Sequence, residues 1–168
     1  MRTSKRPSPC ATVFPVLSTL TLIERLPSST AKHTSTLTLL LDAEERTRSR
    51  VQFVTVEGEK VRLFLPRGTV LKDGDLLLDQ EMSVYVRVIA KEETVMTVIA
   101  SDLIALAKAA YHLGNRHIPL EIGQTFLRLK PDHVLASMLK QMGFHIVEEN
   151  AKFHPEIGSY KGPHTHEH

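Results

Sequence analysis

The hydrophobic period of this chain changes once, near Lys91-Glu92-Glu93, and that change restricts it to a fold of two unlike parts. From Leu20 to Ala90, apolar and polar residues alternate, as in strands with one buried face. Residues 36–41 and 51–56 read as strands rich in β-branched and aliphatic side chains. Glu57-Gly58-Glu59 is a turn, and residues 60–65 return in clean period two, which makes a hairpin of the pair. Pro66-Arg67-Gly68 and Asp73-Gly74-Asp75 are further turns, and residues 76–78 and 84–89 supply later strands. Beyond the seam, residues 94–100 read as a strand, with Ser101 as the N-cap of a helix. Leu103, Leu106, Ala107, Ala110 and Leu113 then fall on one helical face. Residues 118–122 and 125–129 are strands. Asp132 caps a second helix that buries Leu135, Met138, Leu139 and Met142 and stops at Gly143, and residues 144–147 close as a strand.

The predicted fold class is therefore α+β. An N-terminal all-β module over 19–91 precedes a ferredoxin-like βαββαβ domain over 92–150, and a flexible histidine-containing tail covers 151–168. Residues 1–18 carry Arg2, Lys5 and Arg6 with no acid and are broken by Pro7, Pro9 and Pro15, so they read as a disordered extension.

Composition removes whole classes of function. Cys10 is the only cysteine, which excludes an internal disulfide and a thiolate cage within one chain. No apolar run approaches the roughly 18 residues of a membrane span. A net charge of +2, no Trp and 5% aromatics give nucleic acid neither a strong field nor a stacking platform. The reading is a soluble protein of a reducing compartment, with no nucleic acid and no membrane as partner.

Nine histidines stand out against this background. The first helix runs into Gly114-Asn115, two residues that enter the left-handed region cheaply, so the pair reads as its C-terminal stop. His117 is then displayed on the turn beyond the helix. His112 lies five residues before it, whereas a chelating helical pair is four apart, so His112 reads as a solvated or capping residue. Residue reasoning alone leaves His117 open between a structural histidine and a ligand. His133 falls in the first turn of the second helix, His145 points outward from a strand, and His33 has no motif. In the tail, His154 is followed by His164, His166 and His168 at alternate positions, a nitrogen chelator interrupted by Thr165 and Glu167. All-imidazole ligation suits Ni²⁺, Cu²⁺ or Zn²⁺. Three imidazoles on a mobile tail lose ordering entropy on binding, so capture should be reversible.

The run Ala110-Tyr111-His112-Leu113-Gly114-Asn115-Arg116-His117-Ile118-Pro119-Leu120 resembles the signature of the urease accessory protein UreE family of nickel metallochaperones. Leu22-Ile23-Glu24-Arg25-Leu26, Glu45-Arg46-Thr47-Arg48-Ser49-Arg50, residues 63–69, Asp73-Gly74-Asp75 and Asp132-His133-Val134-Leu135 carry the resemblance through most of the chain. It implies a β module likened to a peptide-binding domain and a ferredoxin-like metal-binding domain that forms a homodimer. It implies that His117 from each subunit meets at the two-fold axis and that tail histidines complete the shell. His133 matches an auxiliary ligand position, but Pro131 stands where some members carry a second auxiliary histidine. Glu121 stands where the family usually has Gln, and a strand running from 117 would bring its carboxylate to the side of His117 as a ligand or an acceptor behind one.

The activity so implied is not enzymatic. It is reversible carriage of Ni²⁺ as cargo, with Zn²⁺ or Cu²⁺ fitting the same ligands, and delivery through the urease-accessory GTPase to the urease apoprotein complex in the cytoplasm. A general storage or sensor module for these metals is the alternative. A metallohydrolase would need three fixed ligands and a carboxylate base, and no His-Glu-x-x-His helix is present.

Overall fold

A computed structural model of the chain describes residues 19–28, 35 and 37–157. Its elements are β1 (Leu20–Leu26), β2 (Leu37–Leu41), a 3₁₀ turn (Glu45–Thr47), β3 (Gln52–Val54), β4 (Lys60–Leu63), β5 (Leu76–Asp79) and β6 (Tyr85–Ala90) in the first half. The second half contains β7 (Glu92–Ile99), α1 (Leu103–Gly114), β8 (Glu121–Ile122), β9 (Phe126–Leu129), α2 (His133–Gln141) and β10 (His145–Lys152). The extension 1–18, His33, Thr36 at the predicted start of β2, and the tail histidines 164, 166 and 168 lie outside the described residues.

The first six strands form one mixed sheet in the order β2-β6-β5-β1-β4-β3. Period-two alternation does the work expected of it. Val86 and Val88 of β6 and Val61 and Leu63 of β4 turn inward onto Leu22, Leu39, Leu41 and Leu77. β5 is buried along its whole length because it lies mid-sheet. The sheet curls until its two ends approach, and the Val56 N–H donates to the Thr38 carbonyl of the opposite edge strand. That bond, with Thr55 N–H turning to Glu59, shortens the strand predicted over 51–56 to three residues. The hairpin with β4 forms in the register Val54↔Lys60. β1 is a strand that the periodicity did not single out.

The second half runs β-α-β-β-α-β, and its sheet is antiparallel with order β10-β7-β9-β8. Met96, Val98, Leu127 and Leu129 project from it to meet Leu106, Ala109 and Leu113 of α1 and Leu135 and Leu139 of α2. Two details differ from the pattern-based reading. The N-cap of α1 is Asp102, whose carboxylate accepts the Ala105 N–H at 2.8 Å, and not Ser101, whose hydroxyl bonds to Asp102 instead. Of the face predicted to be buried, Leu103 is 74% exposed and Ala107 is exposed, while Ala109 is fully buried. Met142, at the end of α2, is likewise outside the core.

The two halves are not joined by a flexible linker. Lys91 alone separates β6 from β7, and its N–H is held by the Leu41 carbonyl. Residues expected in the tail form the main clasp. β10 pairs with β7 as far as Lys152↔Glu92. Phe153 is 1% exposed, packed against Ala43 of the first half and Val95 of the second. Arg46 donates to the Phe153 carbonyl, Lys152 bonds Asp73 at 2.9 Å, and Glu93 accepts the Ala43 N–H at 2.8 Å. Burial pulls the Arg46 guanidinium below its ordinary pKa, opposed by the nearby carboxylates of Glu93 and Asp73. Burial pushes Asp73 upward, but the Ala90 N–H and Lys152 outweigh it and leave its carboxyl below the usual range. A stretch that reads as loose from composition is ordered because it has both a strand partner and an apolar anchor.

Candidate metal centre

The end of α1 builds the site. Predicted as left-handed, Gly114 and Asn115 are not: Asn115 stays right-handed at φ −62°, and His117 itself is left-handed at φ +57°. The hydrogen bonds explain why. The Ile118 N–H reaches back to the Leu113 carbonyl at 3.3 Å, and the His117 N–H to the Gly114 carbonyl at 2.8 Å. This is a Schellman closure, with His117 at the position glycine usually fills and Ile118 packing beside Leu113 in the same core. The apolar contact sets where the chain turns back, and an imidazole is placed in a backbone conformation that L-residues adopt at a cost.

The consequence is a histidine whose backbone is clamped and whose side chain is exposed. The carbonyl end of a helix carries partial negative charge and favours a cation. One local carbonyl, that of His112, is already taken by Arg116 at 2.7 Å. His112 is half-buried and stacked edge-to-face on Tyr111, with ring centroids 5.5 Å apart.

The other predicted ligands scatter. His133 opens α2 and is exposed beside Asp132, whose carboxylate is occupied by the Val134 and Leu135 N–H groups. His154 is exposed, and its own N–H donates to Glu121 Oε2 at 2.9 Å. The expectation that a strand from 117 brings Glu121 beside His117 meets a different geometry. The strand is only Glu121–Ile122, and the carboxylate turns to Arg128 at 3.2 Å and to the His154 backbone. Arg128 also holds Glu149 at 3.2 Å, and Glu149, bonded first by the Thr97 hydroxyl and then by Arg128, is held below the ordinary carboxyl range. Sequence reading gave no place to Arg128, and named Arg46 only as part of the run Glu45-Arg46-Thr47-Arg48-Ser49-Arg50. Arg128 had a signal: a hairpin closed at Gly123 pairs Glu121 with Arg128 and Ile122 with Leu127. A Cβ at Gly123 would lie 2.3 Å from the Phe126 ring, so the ring would have to move for any other residue to stand there.

Among the described residues, no group of three or more His, Cys, Asp or Glu converges as a metal cage. His117 and His133 are each exposed, one just past α1 and one at the start of α2. Between their elements lies a cavity of about 380 Å³, lined by Ile118, Pro119, Pro131, Leu135, Phe153 and Ala43. α1 carries a second feature at the surface: Leu103, Ala107 and Tyr111 follow one another at four-residue spacing, with Ile104 beside them, all exposed. Among the described residues, no helix is long and apolar enough to cross a membrane.

Two unlike domains, a clasp between them and exposed imidazoles at the ends of two helices define the class: a two-domain α+β protein that presents histidines at its surface. Comparison with known proteins makes this specific. Residues 19–91 match the family model of the UreE urease accessory protein N-terminal domain, and residues 93–168 that of its C-terminal domain. The chain is 53% identical over 135 residues to the urease accessory protein UreE of Nostoc punctiforme, covering 80% of this chain and 90% of that one. It is 48% identical over 144 residues to that of Burkholderia vietnamiensis, covering 86% and 70% of the two chains. With the Aliivibrio fischeri protein of the same name the identity is 45% over 130 residues, or 77% and 79%. The chain belongs to the UreE family of urease accessory proteins, and its role lies in urease maturation.

Proposed function

We propose that the chain is a cytoplasmic nickel carrier, in which two copies pair through their C-terminal domains and His117 from each holds one Ni²⁺ at the symmetry axis. The observation that carries this reading is the end of α1: an exposed imidazole on a clamped left-handed residue, at the finish of an exposed apolar stripe. A face of Leu103, Ile104, Ala107 and Tyr111 is costly to leave in water and suits self-complementary burial around a two-fold axis. Pairing of two such helices brings two carbonyl ends, and two imidazoles, to one place. A single imidazole is a poor site, and two from rigid helix ends make half of a good one.

The second domain is read as ferredoxin-like, a reading supported by its element order and by the sheet order β10-β7-β9-β8. Histidines 164, 166 and 168 complete the shell from the tail, and His133 and His154 serve as auxiliary stations. Glu121 acts behind the site, by fixing His154 and Arg128, and not as a ligand. A shell assembled from two subunits and their tails suits transfer, and the receiver is the urease-accessory GTPase acting on the urease apoprotein complex. Zn²⁺ and Cu²⁺ compete for the same nitrogens.

Ligation requires neutral imidazole, so protons compete with the metal, and falling pH shifts the balance toward release. Nickel titration of the dimer should show occupancy at pH 7.5 that falls steeply below about pH 6, the range in which free imidazoles charge. Occupancy constant from pH 7.5 to 5 refutes imidazole ligation.

A further inference from the structure

Arg46 is a buried cation that its surroundings leave unpaired. It is 5% exposed, and among the described residues no carboxylate lies within ion-pair distance of it. One nitrogen donates to the Phe153 carbonyl, while the buried Nε–H has no acceptor among the described residues. The four carboxylates whose charge reaches the guanidinium are each committed elsewhere. Glu93 accepts the Ala43 N–H and faces Lys130, and Asp73 accepts the Ala90 N–H and Lys152. Asp42 accepts the Glu45 N–H, and Glu121 is held by Arg128 and the His154 N–H. Their combined field does not offset burial, which dominates this group and disfavours its charge. A buried cation left without an anion is among the costliest features a fold can retain.

The same guanidinium lies in the wall of a cavity of about 370 Å³ at the join of the two domains. Lys72 of the first domain and His154 of the second share that wall. Lys72 is exposed and makes no ion pair among the described residues. An imidazole has a ring N–H to give even when neutral. Asp73 and Glu156 also line the cavity, but Asp73 is already engaged, and Glu156 is exposed, where water and salt screen it.

We propose that this cavity binds a small oxyanion of the phosphate or sulfate type, which joins Arg46 and Lys72 of the first domain to His154 of the second. The chemistry of the wall chooses the ligand. A water molecule could accept the Nε–H but would leave the charge uncompensated. An oxyanion accepts it in a charge-assisted bond, and a tetrahedral one has an oxygen for each of the three donors. Held across the join, it acts beside Phe153 as a second fastener of the domains, and it stabilises the folded chain by mass action. The site does not include His117 and needs no nickel.

The test titrates the metal-free full chain with sodium phosphate, by calorimetry and by thermal melting, against sodium chloride at equal ionic strength. Phosphate should give saturable binding of one ion per chain by about 20 mM and a rise in Tm that chloride does not match. Lys72→Glu, at an exposed position, should weaken binding at least about tenfold. Arg46→Lys keeps the charge but loses the Nε–H, and should weaken it about as much, tenfold or more. In nitrogen-edited NMR spectra, the arginine Nε–H signal that Arg46→Lys removes should move on adding phosphate to the parent chain. Phosphate that does no more than chloride overturns the proposal. Lys72→Glu that binds phosphate as tightly as the parent also overturns it, and this variant decides the matter if Arg46→Lys does not fold. Binding that leaves every arginine Nε–H signal in place overturns it as well, since the ion then sits elsewhere.

Discussion

Replacing His117 with glycine should make the protein more stable and abolish its nickel binding at once. His117 holds φ +57° in a completed Schellman closure, a position that glycine occupies without a Cβ penalty. Relief of that penalty should raise the unfolding free energy by about 0.5–1 kcal/mol. The same change removes one imidazole from each subunit of the proposed site. Changes to residues that merely support a metal ligand cost about 10–100-fold in affinity, so loss of the ligand itself should cost at least about 100-fold. His117→Ala separates the two effects, losing the metal in the same way but gaining no stability, because alanine keeps its Cβ. Chemical denaturation and equilibrium dialysis on the three proteins measure both quantities. A glycine variant less stable than the parent would contradict the backbone account. Unchanged nickel affinity in both variants would contradict the functional one.

Phe153→Ala should be the most damaging single substitution between the two domains. The ring is 1% exposed, between Ala43 and Val95, and it is among the largest fully buried side chains in the molecule. Truncating a buried Phe costs about 3–5 kcal/mol through lost transfer energy and the cavity left behind. Against a whole-domain stability of about 5–15 kcal/mol this is a large fraction. For a chain of this size it corresponds to a fall in Tm of roughly 6–20 °C. Phe153→Leu, which keeps most of the volume, should cost under about 1.5 kcal/mol. The Arg46 bond goes to the Phe153 backbone carbonyl and survives the truncation, so the measured loss reports the side chain. A fall in Tm below about 2 °C for Phe153→Ala would mean that the clasp does not hold the domains together.

Much of this was legible from residues, and the places where legibility stopped share physical causes. The β3–β4 hairpin announced itself through Gly58 and strict alternation, and α2 through Asp132, because those signals are local. Leu103 was assigned to the core because α1 is apolar over a stripe wider than one sheet can cover. Sequence period says how broad a helix's apolar face is, but not which part the subunit itself buries. Gly114 was the expected left-handed residue by propensity, yet the Ile118–Leu113 contact moved the turn three residues on, and a tertiary contact outweighed a preference of about 1 kcal/mol. Glu121 looked like a free ligand because its partner Arg128 is visible only once the β8–β9 register is known. The segment after Lys152 looked loose because its anchors, Arg46 and Ala43, lie more than a hundred residues away in sequence.

The central claim is that two copies of His117, one from each subunit, hold the cargo ion. Diffraction from nickel-loaded crystals at the nickel absorption edge tests it most directly. The account predicts one anomalous peak on a two-fold axis between C-terminal domains, with a His117 imidazole nitrogen from each subunit at about 2.0–2.2 Å. A nickel ion bound within a single subunit, with His117 outside its coordination shell, would contradict it.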